Sequence, residues 1–147
     1  MKSSLIQTIT NTTSGIASTI LRIPVGIILM AHGAQKLFGS FGGYGLEGTG
    51  QWMASIGLEP GYLMALLAGS AEFFGGLALV IGLLVRPASV VIAFTMLMAI
   101  FTVHISKGLF MSNGGYEYAL VLFVIAVSLA FSGAGSYSVD KMITAKK

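Results

Sequence analysis

Four apolar stretches, at about 15–38, 60–84, 87–107 and 117–134, limit what this chain can become more than any other feature, because a helix needs roughly 20 mostly apolar residues to cross about 30 Å of hydrocarbon. Backbone amides in lipid must also be satisfied within the protein. The expected fold is therefore all-α and integral to the membrane, a single domain over residues 1–147 built as a four-transmembrane-helix bundle. Only 9% of the residues are charged, against about 25% in an ordinary soluble domain. The formal charge of +3 comes from 8 Lys+Arg against 5 Asp+Glu, too small and dispersed for a nucleic-acid footprint. With no cysteine in the chain, disulfides, CxxC redox pairs, iron–sulfur clusters and thiolate metal sites are excluded. Any redox chemistry needs a bound cofactor or a partner.

The first fifteen residues, MKSSLIQTITNTTSG, lack the compact apolar block and cleavage site of a signal peptide, so they are expected to stay. Leu5, Ile6, Ile9 and Ile16 fall at near-helical spacing and suggest an interfacial lead-in to the first span. Between the first two spans, glycine-rich flanks surround a segment at about 47–57 that reads as a short interfacial helix anchored by Trp52. If both termini share a side, that side holds Lys2, Arg86, Lys141, Lys146 and Lys147, with Arg22 near that end of the first span. The other side holds only Lys36 and Lys107. The positive-inside rule then puts both termini in the cytoplasm and the 39–59 and 108–116 loops outside. Arg22 and Arg86 are accounted for by topology and lipid-headgroup contact, and Pro87 opens the third span.

Shifting the chain on itself by 72 residues aligns 32–47 with 104–119, with seven identities in sixteen positions. They are His32/His104, Leu37/Leu109, Phe38/Phe110, Ser40/Ser112, Gly42/Gly114, Gly43/Gly115 and Tyr44/Tyr116. Chance supplies about one. The copies are two spans apart, so the reading is two parallel helical-hairpin repeats related by a pseudo-two-fold along the membrane normal.

Ionisable side chains at membrane depth normally face the bundle and mark a working site. His32 lies about 9 Å below the outer end of the first span, with Lys36 one turn above it, and Glu72 lies about 18 Å into the second, near the midplane. His104 closes the third span and Glu117 opens the fourth at the outer level. The five groups read as an outward-facing polar pocket with Glu72 at its floor, and they are the candidate catalytic residues. Histidines titrate near neutral pH. Glu72 is either paired with Lys36 and ionised, or dry, unpaired and protonated. A quinone headgroup needs hydrogen-bond donors on opposite edges and a proton route, which His32 and His104 could supply beside Phe73, Phe101, Phe110 and Tyr116. Competing chemistries are a bis-histidine haem and a His/Glu metal site, the latter opposed by the charge of Lys36. Gly69, Gly75 and Gly76 permit close helix packing. Neither a nucleotide fingerprint nor a nucleophile–base motif is present.

The chain resembles the DoxX family of small four-helix membrane proteins from about Leu21 to Met142. The resemblance rests on Arg22-Ile-Pro-x-Gly26, His32-Gly-x-x-Lys36-Leu, Glu72-x-x-Gly75-Gly76, Gly82-x-x-x-Arg86-Pro87-x-Ser-Val, and His104 followed by Gly114-Gly115-x-Glu117. It implies a quinone-linked membrane redox role in the inner membrane of a bacterium, with pocket residues His32, Lys36, Glu72, His104 and Glu117. Quinone is the implied cofactor and a redox protein the implied partner, with homo-oligomer formation open. The alternatives are a non-enzymatic scaffold that recruits a redox partner, and a small transporter. The family is functionally mixed, so the resemblance does not fix the substrate.

Overall fold

Apolar runs become helices here, and glycine ends them. The computed structural model of the chain describes residues 5–12 and 15–145, over which it is all-helical with no strand. The helices are α1 (Leu5–Thr10), α2 (Ile16–Phe38), α3 (Gly45–Ser55), α4 (Gly61–Ile81), α5 (Val85–Ala99), α6 (Glu117–Ser132) and α7 (Val139–Ala145). Beyond α5 the chain continues through a π turn at Ile100–His104 and a 3-10 turn at Ile105–Lys107. Three helical segments are long and apolar enough to cross a membrane: α2, α4 and Val85–Lys107, with mean hydropathies of 1.6, 1.8 and 2.2. The fourth apolar helix, α6, has 16 residues and spans about 24 Å. The described part of the amino-terminal lead-in is the short helix α1; residues 1–4 and 13–14 lie outside the described residues.

Two glycines show how termination works. Gly39 and Gly82 adopt left-handed φ values of 71° and 72° directly after α2 and α4. At Gly82 the N–H groups of Gly82 and Leu83 both reach the Ala78 carbonyl, satisfying the frayed end of α4.

Helix α2 lies antiparallel along α4, α5 along α6, and α4 against α5, while α3 packs on α4. By contrast, α2 and α6 approach closely at few positions. A Cβ on Gly26 or on Gly76 would come within 2.6 Å of the other's carbonyl oxygen, so α2 and α4 meet backbone to backbone. Gly33 likewise abuts the backbone of Phe73. Gly75 faces Ile92 of α5, where a Cβ would lie 3.0 Å from its side chain. The core between these contacts is aliphatic, centred on Leu29, Leu79, Ile92, Leu122 and Leu129.

The repeated sixteen residues share a local turn. Gly42 and Gly114 have φ values of 75° and 77°, and each ends or follows a 3-10 turn. Tyr44 and Tyr116 then cap the next helix with φ/ψ of −84°/−7° and −91°/−1°. The helices they introduce differ: α3 has 11 residues, whereas α6 is longer and more apolar.

At the opposite end of the bundle, the structure corrects the headgroup role expected for Arg22. Its side chain is 0% exposed. Its Nε donates to the Ala134 carbonyl at 2.8 Å, Nη1 to those of Leu79 and Val80 at 2.7 Å each, and Nη2 to that of Tyr137 at 2.8 Å. A guanidinium satisfies several carbonyls at once because its donors form a rigid fork. Arg22 therefore closes the carboxyl end of α4 and the loop before α7 from inside the protein. Asp140, also buried, accepts from the N–H groups of Leu84 and Val85 at 2.8 and 3.0 Å and so caps α5 from α7. Pro87 falls in the first turn of α5, where its missing N–H leaves no gap. Arg86 is also occupied by the backbone, donating to the carbonyls of Asn11 and Ala130 at 2.7 and 3.1 Å. Thr10 and Thr144 pair through their hydroxyls at 3.2 Å, so the described ends of the chain meet beside the 82–86 turn. Lys2, Lys146 and Lys147, counted above for orientation, lie outside the described residues.

Candidate functional site

Lys36 sits in the last turns of α2 and Glu72 in the middle of α4, and glycine spacing lets them meet. Gly69, one turn before Glu72, leaves room for the lysine stem: a Cβ there would lie 3.2 Å from the Lys36 Cβ. The Lys36 ammonium donates to Glu72 Oε2 at 2.6 Å, a short charge-assisted bond. The Glu72 side chain is 8% exposed and that of Lys36 25%, so the carboxylate is the deeper partner. Of the two states left open for Glu72 by the sequence, the structure shows the paired one.

A cavity of about 530 Å³ opens beside Lys36, between the carboxyl end of α2 and α3. Gln35, Lys36, Gly43, Tyr44, Thr49 and Trp52 line it. Its size is that of a small-molecule site, with an ammonium, an amide and a hydroxyl set among aromatic and backbone surfaces. Sequence reasoning placed Trp52 on an interfacial helix but did not connect it with Lys36. The 39–44 turn makes that connection by folding α3 back over the end of α2.

His32, one turn before Lys36 on α2, places its ring against Tyr118 of α6, with centroids 5.9 Å apart and planes at 44°. Tyr118 was absent from the sequence-derived set, because a tyrosine near the start of an apolar helix reads as an interface anchor.

The other predicted residues are held elsewhere. His104 Nδ1 lies 2.7 Å from the Gly114 carbonyl, and Glu117 Oε1 accepts from the Met111 N–H at 2.6 Å. Both stitch the 105–117 turn to itself. Among the described residues, no hydrogen bond or ion pair joins either to Lys36 or Glu72. Phe73 lies beside Glu72 in sequence and makes edge-on ring contacts with Phe38 and Phe74 at 5.4 and 5.3 Å. Phe101 and Phe110 are exposed, and Tyr116 is the half-buried cap of α6. Among the described residues, no three His, Asp or Glu side chains converge as a metal-ligand set.

Chemically, the centre has a buried carboxylate, an ammonium that links it to a cavity, and an imidazole and a phenol beside the pair. An oxygen acceptor on a ligand could be bound by Lys36 or Gln35, with Glu72 able to exchange a proton behind it.

The family model described as DoxX matches residues 17–105. The chain is similar to "Putative oxidoreductase CatD" of Bacillus subtilis, at 35% identity over 128 residues and 87% of each chain. It is 32% identical over 133 residues to "Inner membrane protein YqjF" of Escherichia coli, covering 86% of this chain and 92% of that one. An uncharacterized protein of Haemophilus influenzae is 34% identical over 128 residues, covering 82% of this chain and 85% of its own. No solved structure matches. The matched family segment contains Arg22, His32, Lys36, Glu72 and His104; Glu117, Tyr118 and Asp140 lie beyond it.

Proposed function

The chain belongs to the DoxX family, and from that premise we propose that it is a quinone-linked redox subunit of the bacterial inner membrane, binding the quinone headgroup beside Lys36 and Glu72. The observation that carries this reading is the 2.6 Å Lys36–Glu72 pair, whose Lys36 lines a cavity of about 530 Å³. The relatives' names, one an oxidoreductase and one an inner membrane protein, agree with it. In this reading α2, α4, α5 and α6 all span the bilayer as two hairpins, α2 with α4 and α5 with α6, related by the pseudo-two-fold. The termini are cytoplasmic and the cavity opens outward.

A quinone supplies two-electron, two-proton carrier chemistry when bound. Lys36 donates a hydrogen bond to a ring carbonyl oxygen, and Gln35 can hold the ring's position from the same helix. Tyr44 and Trp52 offer flat apolar surface to the ring. Proton delivery from Lys36 would leave the Glu72 carboxylate without its cation in a low-dielectric site, so a second proton must enter as the first leaves. Glu72 is the group that receives it. Electrons come from a partner protein, since the chain has no cysteine and no resident cluster.

Trp52 is the chain's single tryptophan and lines the cavity, which makes it a built-in reporter. Titrating the protein in lipid nanodiscs with a short-tailed quinone should give saturable quenching of Trp52. Lys36→Met and Glu72→Gln should each weaken binding by about tenfold, a little over 1 kcal/mol. Absence of saturable quenching, or quenching indifferent to both substitutions, would favour the scaffold.

A further inference from the structure

A second route to the same ion pair runs through the lipid-facing side of the bundle. Helices α2 and α6 approach closely at few positions, unlike the tightly packed α2–α4 and α5–α6 pairs. Near the outer end their seam is bridged by the rings of His32 and Tyr118. Neither the His32 ring nitrogens nor the Tyr118 hydroxyl has a hydrogen-bond partner among the described residues. His32 is exposed on the bundle surface although it stands six residues before the end of α2 at Phe38. In the reading above that is about 9 Å below the outer end of the span, where water is scarce.

Unsatisfied polar atoms facing hydrocarbon are strongly unfavourable. Two phenylalanines would make the same ring contact without that penalty. The polar atoms therefore need a reason beyond packing, and their position next to Lys36 and Glu72 supplies one. An imidazole and a phenol each offer both a donor and an acceptor. Together they match a ring headgroup with carbonyl or hydroxyl oxygens that arrives from the lipid with its tail still in the bilayer.

We propose that the α2–α6 seam is a lateral entrance from the bilayer, and that Tyr118 with His32 forms its polar threshold, hydrogen-bonding the headgroup of a lipid-dissolved ligand as it reaches Lys36 and Glu72. This rests on the quinone reading above and adds where the ligand comes from and which residue of α6 meets it. Tyr118 is thereby a ligand-binding residue. Lys36, which lines the cavity under Trp52, is the point at which this route and the cavity would meet, with the tail left between α2 and α6.

The test uses the full chain in nanodiscs and two probes: a tailless water-soluble quinone, and a long-tailed quinone with a photoreactive group on its tail. Tail labelling is expected within α2 and α6. Tyr118→Phe, which removes one hydroxyl and keeps the ring, should weaken binding of the tailed probe by about tenfold, the scale of one hydrogen bond. Binding of the tailless probe, which can enter through the aqueous cavity, should change by less than about threefold. If the wild-type protein binds the tailed quinone but the label falls within 40–55, or Tyr118→Phe binds it as tightly as wild type, the lateral entrance is wrong and the quinone reading survives. If the wild type binds neither probe, the quinone reading fails and the entrance fails with it.

Discussion

The two ends of the bundle bury charge in opposite ways. At the end where the described chain termini meet, Arg22 is wholly enclosed and bound to backbone carbonyls from α4 and the loop before α7, while Asp140 holds two backbone N–H groups of the 84–85 turn. At the other end, Lys36 and Glu72 hold each other, with a cavity alongside and a polar ring pair nearby. Charge bonded to the backbone fixes a fold, because its partners cannot leave without unwinding a helix end. Charge bonded to another side chain beside open volume can exchange its partner for a ligand. A cation and a carboxylate thus lock the backbone at one end and, in the proposed reading, form a receptor at the other.

Breaking the lock should have the largest effect. Arg22→Leu leaves several buried carbonyls without their donor, a loss of about 3–5 kcal/mol by analogy with severed buried charge networks. Thermal unfolding followed by size-exclusion chromatography in detergent should show the variant aggregated at temperatures the parent survives. A stable Arg22→Leu would remove the distinction between the two ends. Next in size is the α2–α4 contact that both ends share. Gly76→Ala places a Cβ 2.6 Å from the Gly26 carbonyl oxygen, and overpacking of this kind costs about 1–3 kcal/mol, read in the same melt. The smallest stability effect belongs to the receptor end. Glu72→Gln keeps a hydrogen-bond acceptor for the partly exposed Lys36, so the melt should shift by about 1 kcal/mol or less while ligand binding falls. A Glu72→Gln variant that unfolds as readily as Arg22→Leu would make the ion pair a second lock.

The helices were legible because lipid demands long apolar runs, and α2 at Ile16–Phe38 follows its run closely. Lys36 and Glu72 were legible because ionisable groups at depth are rare. The lock was not. Arg22 bonds the backbone of residues more than fifty positions away, and a carbonyl carries no side-chain signature for a sequence to display. Asp140 lay after the last apolar stretch, where a carboxylate looks ordinary. For His104 and Glu117 the sequence showed depth but not partners, because equal depth along two helices does not by itself bond their side chains to one another. The 105–117 turn offered both of them closer partners in its own backbone.

Glycine on two faces of α4 has a mechanical consequence. Its backbone bears directly on α2 at Gly26, with no layer of side chains between the two carbonyls to absorb slippage, while Gly75 takes the Ile92 side chain of α5. Advancing α4 by a single residue, about 1.5 Å, would drive bulkier neighbours such as Leu77 into the space that only a glycine fits. Close backbone contact thus ties α2 to α4 along the stretch that holds Lys36 and Glu72 together. The α2–α6 seam, with few close approaches, has no such tie.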